Sequence, residues 1–108
     1  MSKLLYTVFF KMGSDEVSEQ AIKESVEAIR ANPGTITVIG SACDTPMVKP
    51  ETKDKFGNNL VLSSYRALNV VRGLVKAGIP ESQITGKYIG AQTSPDKDSK
   101  RVVEIHLN

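Results

Sequence analysis

At 108 residues, with fourteen Lys or Arg against twelve Asp or Glu, this chain has a net charge of +2 and room for one hydrophobic core. That balance excludes the basic stripe expected of a nucleic-acid binder, and Lys97, Lys100 and Arg101 form only a short cluster, read as a solvated rim. One cysteine, Cys43, excludes an internal disulfide and a multi-thiolate zinc site. One histidine, His106, has no Cys or His neighbours and no nucleophile elbow, so no metal, cofactor or enzymatic activity is expected.

The elements follow in chain order. Leu4 to Phe10 is aromatic and β-branched and reads as a strand. Thr7 interrupts it, and it is too short for a signal peptide or a membrane span. A chain that enters a strand at once looks like a domain cut from a longer protein, and its N-terminus reports no compartment. Lys11 to Glu16 has turn chemistry. Ser18 is placed to cap a helix, with Val17 and Ile22 as a staple and Ala21, Ile22, Val26 and Ile29 as its buried stripe. Asn32-Pro33-Gly34 stops that helix after about Ala31.

Thr35 to Gly40 is the second strand, and the β–α–β order implies a parallel crossover. Thr45 to Asn58 holds two prolines, a charge cluster and Gly57. It reads as a long loop (about 45–58), expected to be the most mobile part of the chain and to border any site. Asn59 to Ala77 is the second helix, with Leu60, Ser63, Ala67, Val70, Val71 and Leu74 facing inward, ended by Gly78 and Pro80. Gln83 to Ile89 is a third strand, Ala91 to Ser99 a polar loop and Arg101 to Leu107 a last strand, where His106 is a solvated or packed residue. The fold expected is an α/β (α+β) two-layer sandwich in the order β-α-β-α-β-β, one domain over 1–108 with two helices on a mixed four-stranded sheet.

Ligands of such sheets bind at the carboxyl ends of parallel strands, beside helix N-termini. Three segments meet there in this reading: Phe10 to Met12, Ser41 to Thr45, and Asn59 to Arg66. They bring an acid (Asp44), a cation (Arg66), an amide (Asn59) and hydroxyls (Ser41, Thr45, Ser63), a mixture suited to a zwitterion, with the arginine forking a carboxylate and the acid taking an ammonium. Each residue also has a plainer role. Arg66 suits a solvated helix position, Asp44 a turn, Asn59 an N-cap, and Cys43 a small packed side chain. Arg66 is expected to be exposed or half-exposed, so that its removal costs no more than about 0.5 kcal/mol of stability. The Asp44 carboxylate is expected within about 8 Å of it, a span one small zwitterion bridges.

The spacing Asn59…Leu62-Ser63…Arg66-Ala67 resembles the signature of OmpA-like peptidoglycan-binding domains. The resemblance runs from about Tyr6 to Ile105, through Val8-Phe9-Phe10, Ala31-Asn-Pro-Gly34, Ile36 to Gly40, Ala77-Gly-Ile-Pro80 and Ser99-Lys-Arg-Val102. It implies non-covalent binding of the diaminopimelate-bearing stem peptide of peptidoglycan. The chain would then anchor a cell-envelope protein to the wall in the periplasm, tied to the outer membrane by parent segments beyond this chain. No span, cofactor or nucleic acid is implied, and other envelope proteins are further partners. Of the family's ligand-holding residues it implies Asn59, Arg66 and Arg101, and with Phe10, Cys43, Asp44, Thr45 and Leu62 these make up the expected ligand set.

The chain departs from that family where Gly-His-Thr-Asp is usual. Here stands Gly40-Ser-Ala-Cys43, with an aspartate one residue late at Asp44, and Lys11-Met12 replaces the acidic turn after strand one. Either Asp44 takes the ammonium, or the pocket has lost that acceptor. In the second case the domain is a protein-interaction or assembly module with reduced or no peptidoglycan binding.

Overall fold

A computed structural model of the protein describes residues 2–11, 13–43, 59–92 and 101–108. The β-branched runs and amphipathic stretches become β1 (Lys3–Phe9), α1 (Glu19–Arg30), β2 (Ile36–Cys43), α2 (Asn59–Lys76), β3 (Ile84–Gln92) and β4 (Val102–Leu107), with one 3-10 turn at Glu81–Gln83. The sheet order is β1-β4-β2-β3. β4 runs antiparallel to both β1 and β2, and β3 runs parallel to β2. The sheet is therefore mixed, as expected, and β1 points the same way as β2 with β4 between them.

α1 forms where its capping chemistry allows. Ser18 Oγ accepts the Ala21 N–H at 3.0 Å, satisfying one of the free amides of the first turn. α2 ends in a paired stop. Gly78, at φ 107°, donates to Val75 O, and Ile79 donates to Leu74 O and is buried behind it.

Both helices cover one sheet face. The core there is aliphatic: Val8, Val26, Ile29, Ile36, Val38, Val70, Leu74, Val103 and Ile105 are all buried. Such burial contributes roughly 1.5–3 kcal/mol per large side chain. One contact sets how close α2 sits to the sheet. A Cβ on Gly40 would lie 2.3 Å from Ser63 O and 2.9 Å from the Ala67 methyl, so only glycine in β2 lets the helix backbone approach. The small residues Ser63 and Ala67 complete that crossing, and the approach carries the first half of α2 over the end of β2.

Three expectations are corrected. Leu60, expected to face inward, is 51% exposed, while Leu62 is buried. The buried arc of α2 turns toward Leu62 and Arg66 because residues 11–15 lie against that flank. β2 does not stop at Gly40: Ser41 to Cys43 continue it, and β3 continues to Gln92 instead of ending at Ile89. The two extensions pair with each other, Ala42 with Ala91 and Cys43 with Gln92, beyond an irregularity after Gly40.

His106 is half-buried in β4. Its Nε2 makes no hydrogen bond, although it stands 3.5 Å from Glu104 Oε1, an ion-pair distance only when the ring is protonated. Asp44, Thr45, the 45–58 loop, Lys97 and Lys100 lie outside the described residues.

Candidate functional site

The turn after β1 is built on Gly13, whose φ of 70° is left-handed and favours a residue without a side chain. Ser14 N–H closes that turn onto Lys11 O at 3.0 Å. Carbonyls at Lys11 and Ser14 consequently turn toward α2. The side chain they meet is Arg66.

Arg66 is buried, 1% exposed, which corrects the expectation of a surface or half-exposed residue. Its guanidinium is held by three backbone carbonyls from two segments. Nε donates to Ser14 O at 2.8 Å, Nη2 to Lys11 O at 3.1 Å and Nη1 to Ser41 O at 3.2 Å. The Phe10 ring lies beneath, its centroid 5.1 Å from the guanidinium carbon, a cation–π distance. Periodicity alone puts Arg66 on a flank of α2. Long-range packing of residues 10–15 turns that flank into an interior.

The other partners of the site are structural neighbours of this cage. Phe10 is itself buried, and its N–H donates to Arg101 O at 2.8 Å, so strand entry at Arg101 and strand exit at Phe10 are fastened together. Ser41 Oγ donates to Val102 O at 3.2 Å, securing the carbonyl that Arg66 uses. Leu62 is buried one turn before Arg66. The structure thus brings together Phe10, Arg66 and Arg101, with Leu62 on the adjoining turn. Cys43 closes β2 and Asn59 opens α2, and only their backbones are described. Asp44 and Thr45 lie outside the described residues, so their expected approach to Arg66 is a matter for experiment.

Sequence reasoning missed Ser14, Asp15 and Asn69. Asn69 stands three residues after Arg66, one helical turn along. Its Nδ2 donates to Asp15 O at 3.0 Å and to Asp15 Oδ2 at 2.9 Å. Asp15 is only 8% exposed, a buried acid in what reads as an ordinary turn. The available signal was a polar residue, Asn69, set among Ala67, Val70 and Val71 on a helix flank.

Among the described residues, two clefts flank α2 and α1. One of about 360 Å³ runs along β1 to the start of α1 and shares Phe10, Lys11 and Ser14 with the Arg66 cage; Glu16 and Ser18 also line it. The other, about 620 Å³, is more apolar and lies between α2 and β3, lined by Val61, Tyr65, Leu68, Ile84 and Lys87. Arg66 lines neither, and the first reaches it through the Phe10, Lys11 and Ser14 it shares with the cage. What the arrangement offers chemically is a guanidinium with its direction fixed, a form suited to recognising a planar anion. Among the described residues, no helix is long and apolar enough to cross a membrane, and no three His, Cys, Asp or Glu side chains gather where a metal ion could be held.

Comparison with known proteins places this geometry in a family. The model of the OmpA family matches residues 9–105. The periplasmic domain of Helicobacter pylori MotB (residues 90–256) superposes with a TM-score of 0.78 at 23% identity, over 99% of this chain and 71% of that one. The peptidoglycan-associated lipoprotein from Burkholderia pseudomallei gives 0.72 at 17% identity, over 94% and 89%. The cell wall anchor of the T6SS from Pseudomonas aeruginosa gives 0.72 at 19%, over 94% and 78%. No curated protein matches the chain.

Proposed function

Because this chain belongs to the OmpA family, we propose that it binds peptidoglycan non-covalently through a diaminopimelate-bearing stem peptide and anchors a cell-envelope protein to the wall. The observation that carries the reading is the fixed guanidinium of Arg66 at the carboxyl ends of β1 and β2, beside a cleft large enough for part of a peptide. A carboxylate approaching a guanidinium that is already oriented loses little to ordering it, so the pair is stronger than one made by a mobile surface arginine. Phe10 keeps one face of the group from water, which strengthens its electrostatic reach. Asp44, Thr45, Asn59 and Cys43 complete the ligand set in this proposal, with Asp44 as the ammonium acceptor, and Leu62 and Arg101 hold the rim from behind.

The family relatives support the location as well as the ligand. One is a periplasmic domain, one a peptidoglycan-associated lipoprotein and one a cell wall anchor. The cell envelope is the compartment this reading assigns, with other envelope proteins as secondary partners.

A second reading has its own observation. Arg66 is 1% exposed and spends three donors on backbone carbonyls, the pattern of an arginine that holds a loop. On that reading the domain is an assembly module and Arg66 is part of its frame. Sedimentation with purified diaminopimelate-type sacculi separates the two. We expect wild-type protein to pellet with sacculi and Arg66→Lys to stay in solution while remaining folded. Wild-type protein left in the supernatant would favour the assembly module.

A further inference from the structure

Asn69 and Arg66 lie one turn apart on α2 and hold consecutive carbonyls of the same loop. Arg66 Nε takes Ser14 O, and Asn69 Nδ2 takes Asp15 O. The amide NH₂ of Asn69 has two hydrogens, and both are used, one on Asp15 O at 3.0 Å and one on Asp15 Oδ2 at 2.9 Å. Two of the three carbonyls that aim the guanidinium belong to this loop, Lys11 and Ser14. Among the described residues of that turn none is held by apolar burial: Lys11 and Glu16 are exposed, and Gly13 and Ser14 are half-buried. The loop's purchase on α2 is polar, and Asn69 supplies its end beyond Ser14.

We infer that Asn69 is the positioning residue of this site: by latching Asp15 it fixes the 11–15 loop, and through Ser14 O and Lys11 O it sets the direction of the Arg66 guanidinium. The inference deepens the peptidoglycan reading and rests on it only for the ligand, since the direction of Arg66 is measurable without one. Asn69 does not touch the ligand. Its effect is felt as a reorientation of Arg66, distinct from a general loss of folding.

The chemistry of the latch gives it a signature. Asn69→Asp keeps the size of the side chain but removes both donors and sets a carboxylate against Asp15. At neutral pH the two acids repel and the loop is released. At acid pH one carboxyl gains a proton and its O–H donates to the other, so the side-chain contact of the latch returns while the one to Asp15 O does not. Asn69→Ala has no such recovery.

The test uses the full chain, nitrogen-15 labelled, with the Arg66 Nε–H signal as reporter and a soluble diaminopimelate-bearing stem tripeptide as probe. In Asn69→Asp and Asn69→Ala at pH 7 we expect Arg66 Nε–H to exchange with water at least about tenfold faster than in wild type, the factor that losing about 1.4 kcal/mol of protection produces. The amides of Val70 and Leu74 should keep their protection. Tripeptide affinity should fall by a similar factor. When each is compared with wild type at the same pH, Asn69→Asp should recover on acidification and Asn69→Ala should not. Unchanged Arg66 Nε–H exchange in both variants would overturn the inference, as would equal loss of protection throughout the core. Should wild type fail to bind the tripeptide, the peptidoglycan reading falls, while Arg66 Nε–H still decides the role of Asn69.

Discussion

The two halves of α2 are made differently. From Val70 onward the helix buries hydrocarbon, Val70 and Leu74, and Ile79 just past its end joins them in one cluster with Val26, Ile29 and Ile36. Before Val70 it buries Leu62 and Ala67 but also Ser63 and Arg66, and the carbonyls and acid it meets belong to Lys11, Ser14, Ser41 and Asp15. The C-terminal half draws on a non-directional force that tolerates exchange of one aliphatic for another. The N-terminal half depends on hydrogen bonds that must all be made, because a buried donor or acceptor left alone costs more than a made one gains. The first half therefore fixes a geometry and the second supplies stability.

That division can be broken from either side. The largest effect is expected from Leu74→Ala in the apolar half. A fully buried leucine truncated there should lose about 2–5 kcal/mol in denaturant unfolding. Sacculus binding per folded molecule should stay as in wild type. Loss of binding among folded molecules would show that the halves are coupled.

Next comes Arg66→Met, which keeps the bulk and removes the donors. Three carbonyls lose a partner, so we expect a destabilisation of roughly 3 kcal/mol, well above what a surface arginine would give. A midpoint unchanged in urea would return Arg66 to the surface role that periodicity suggests. Ser18→Ala removes the α1 cap and should cost about 1 kcal/mol with binding intact. Thermal unfolding and sedimentation on the same sample check both halves of that statement.

The smallest effect belongs to Tyr6 and Glu24, joined by a hydrogen bond from the Tyr6 hydroxyl to Glu24 Oε2 at the far side of α1. That bond is the main cause of a raised Tyr6 pKa, and it also leads the lowering of Glu24. A raised tyrosine contributes stability below its ordinary range and loses it as pH rises. A lowered glutamate contributes above the ordinary carboxylate range and loses it as pH falls. Tyr6→Phe should therefore differ slightly from wild type between about pH 4.5 and 10 and match it outside that window. A difference that persisted at pH 2 would mean the hydroxyl has another partner.

What the sequence disclosed is local. Ser18 with its staple, Gly78 before Pro80 and the alternation of Val103 and Ile105 each report their element through nearby chemistry, and the structure has those elements with ends shifted by a residue or so. The misses are all between segments. Ser41 to Cys43 and Ala91 to Gln92 lack the β-branched pattern of a strand, and each is a strand because the other pairs with it. Arg66 sits at a helical position that periodicity assigns to a flank, and segments distant in sequence, the turn around Gly13 and the end of β2, cover it. Asp15 and Asn69 each look unremarkable alone; their meaning lies in the contact between them. The fold was thus legible in outline, and the site only as the Asn59–Arg66 spacing.

The measurement that bears most directly on Arg66 is calorimetric titration of a diaminopimelate-bearing stem tripeptide into wild type and into Arg66→Lys, each first shown to be folded. Lysine keeps the charge and removes the fixed fork. We expect saturable binding by wild type and a loss of at least about tenfold in the variant, which is about 1.4 kcal/mol. Equal affinity in the two proteins, or no heat from wild type, would contradict a role for the caged guanidinium in holding the ligand.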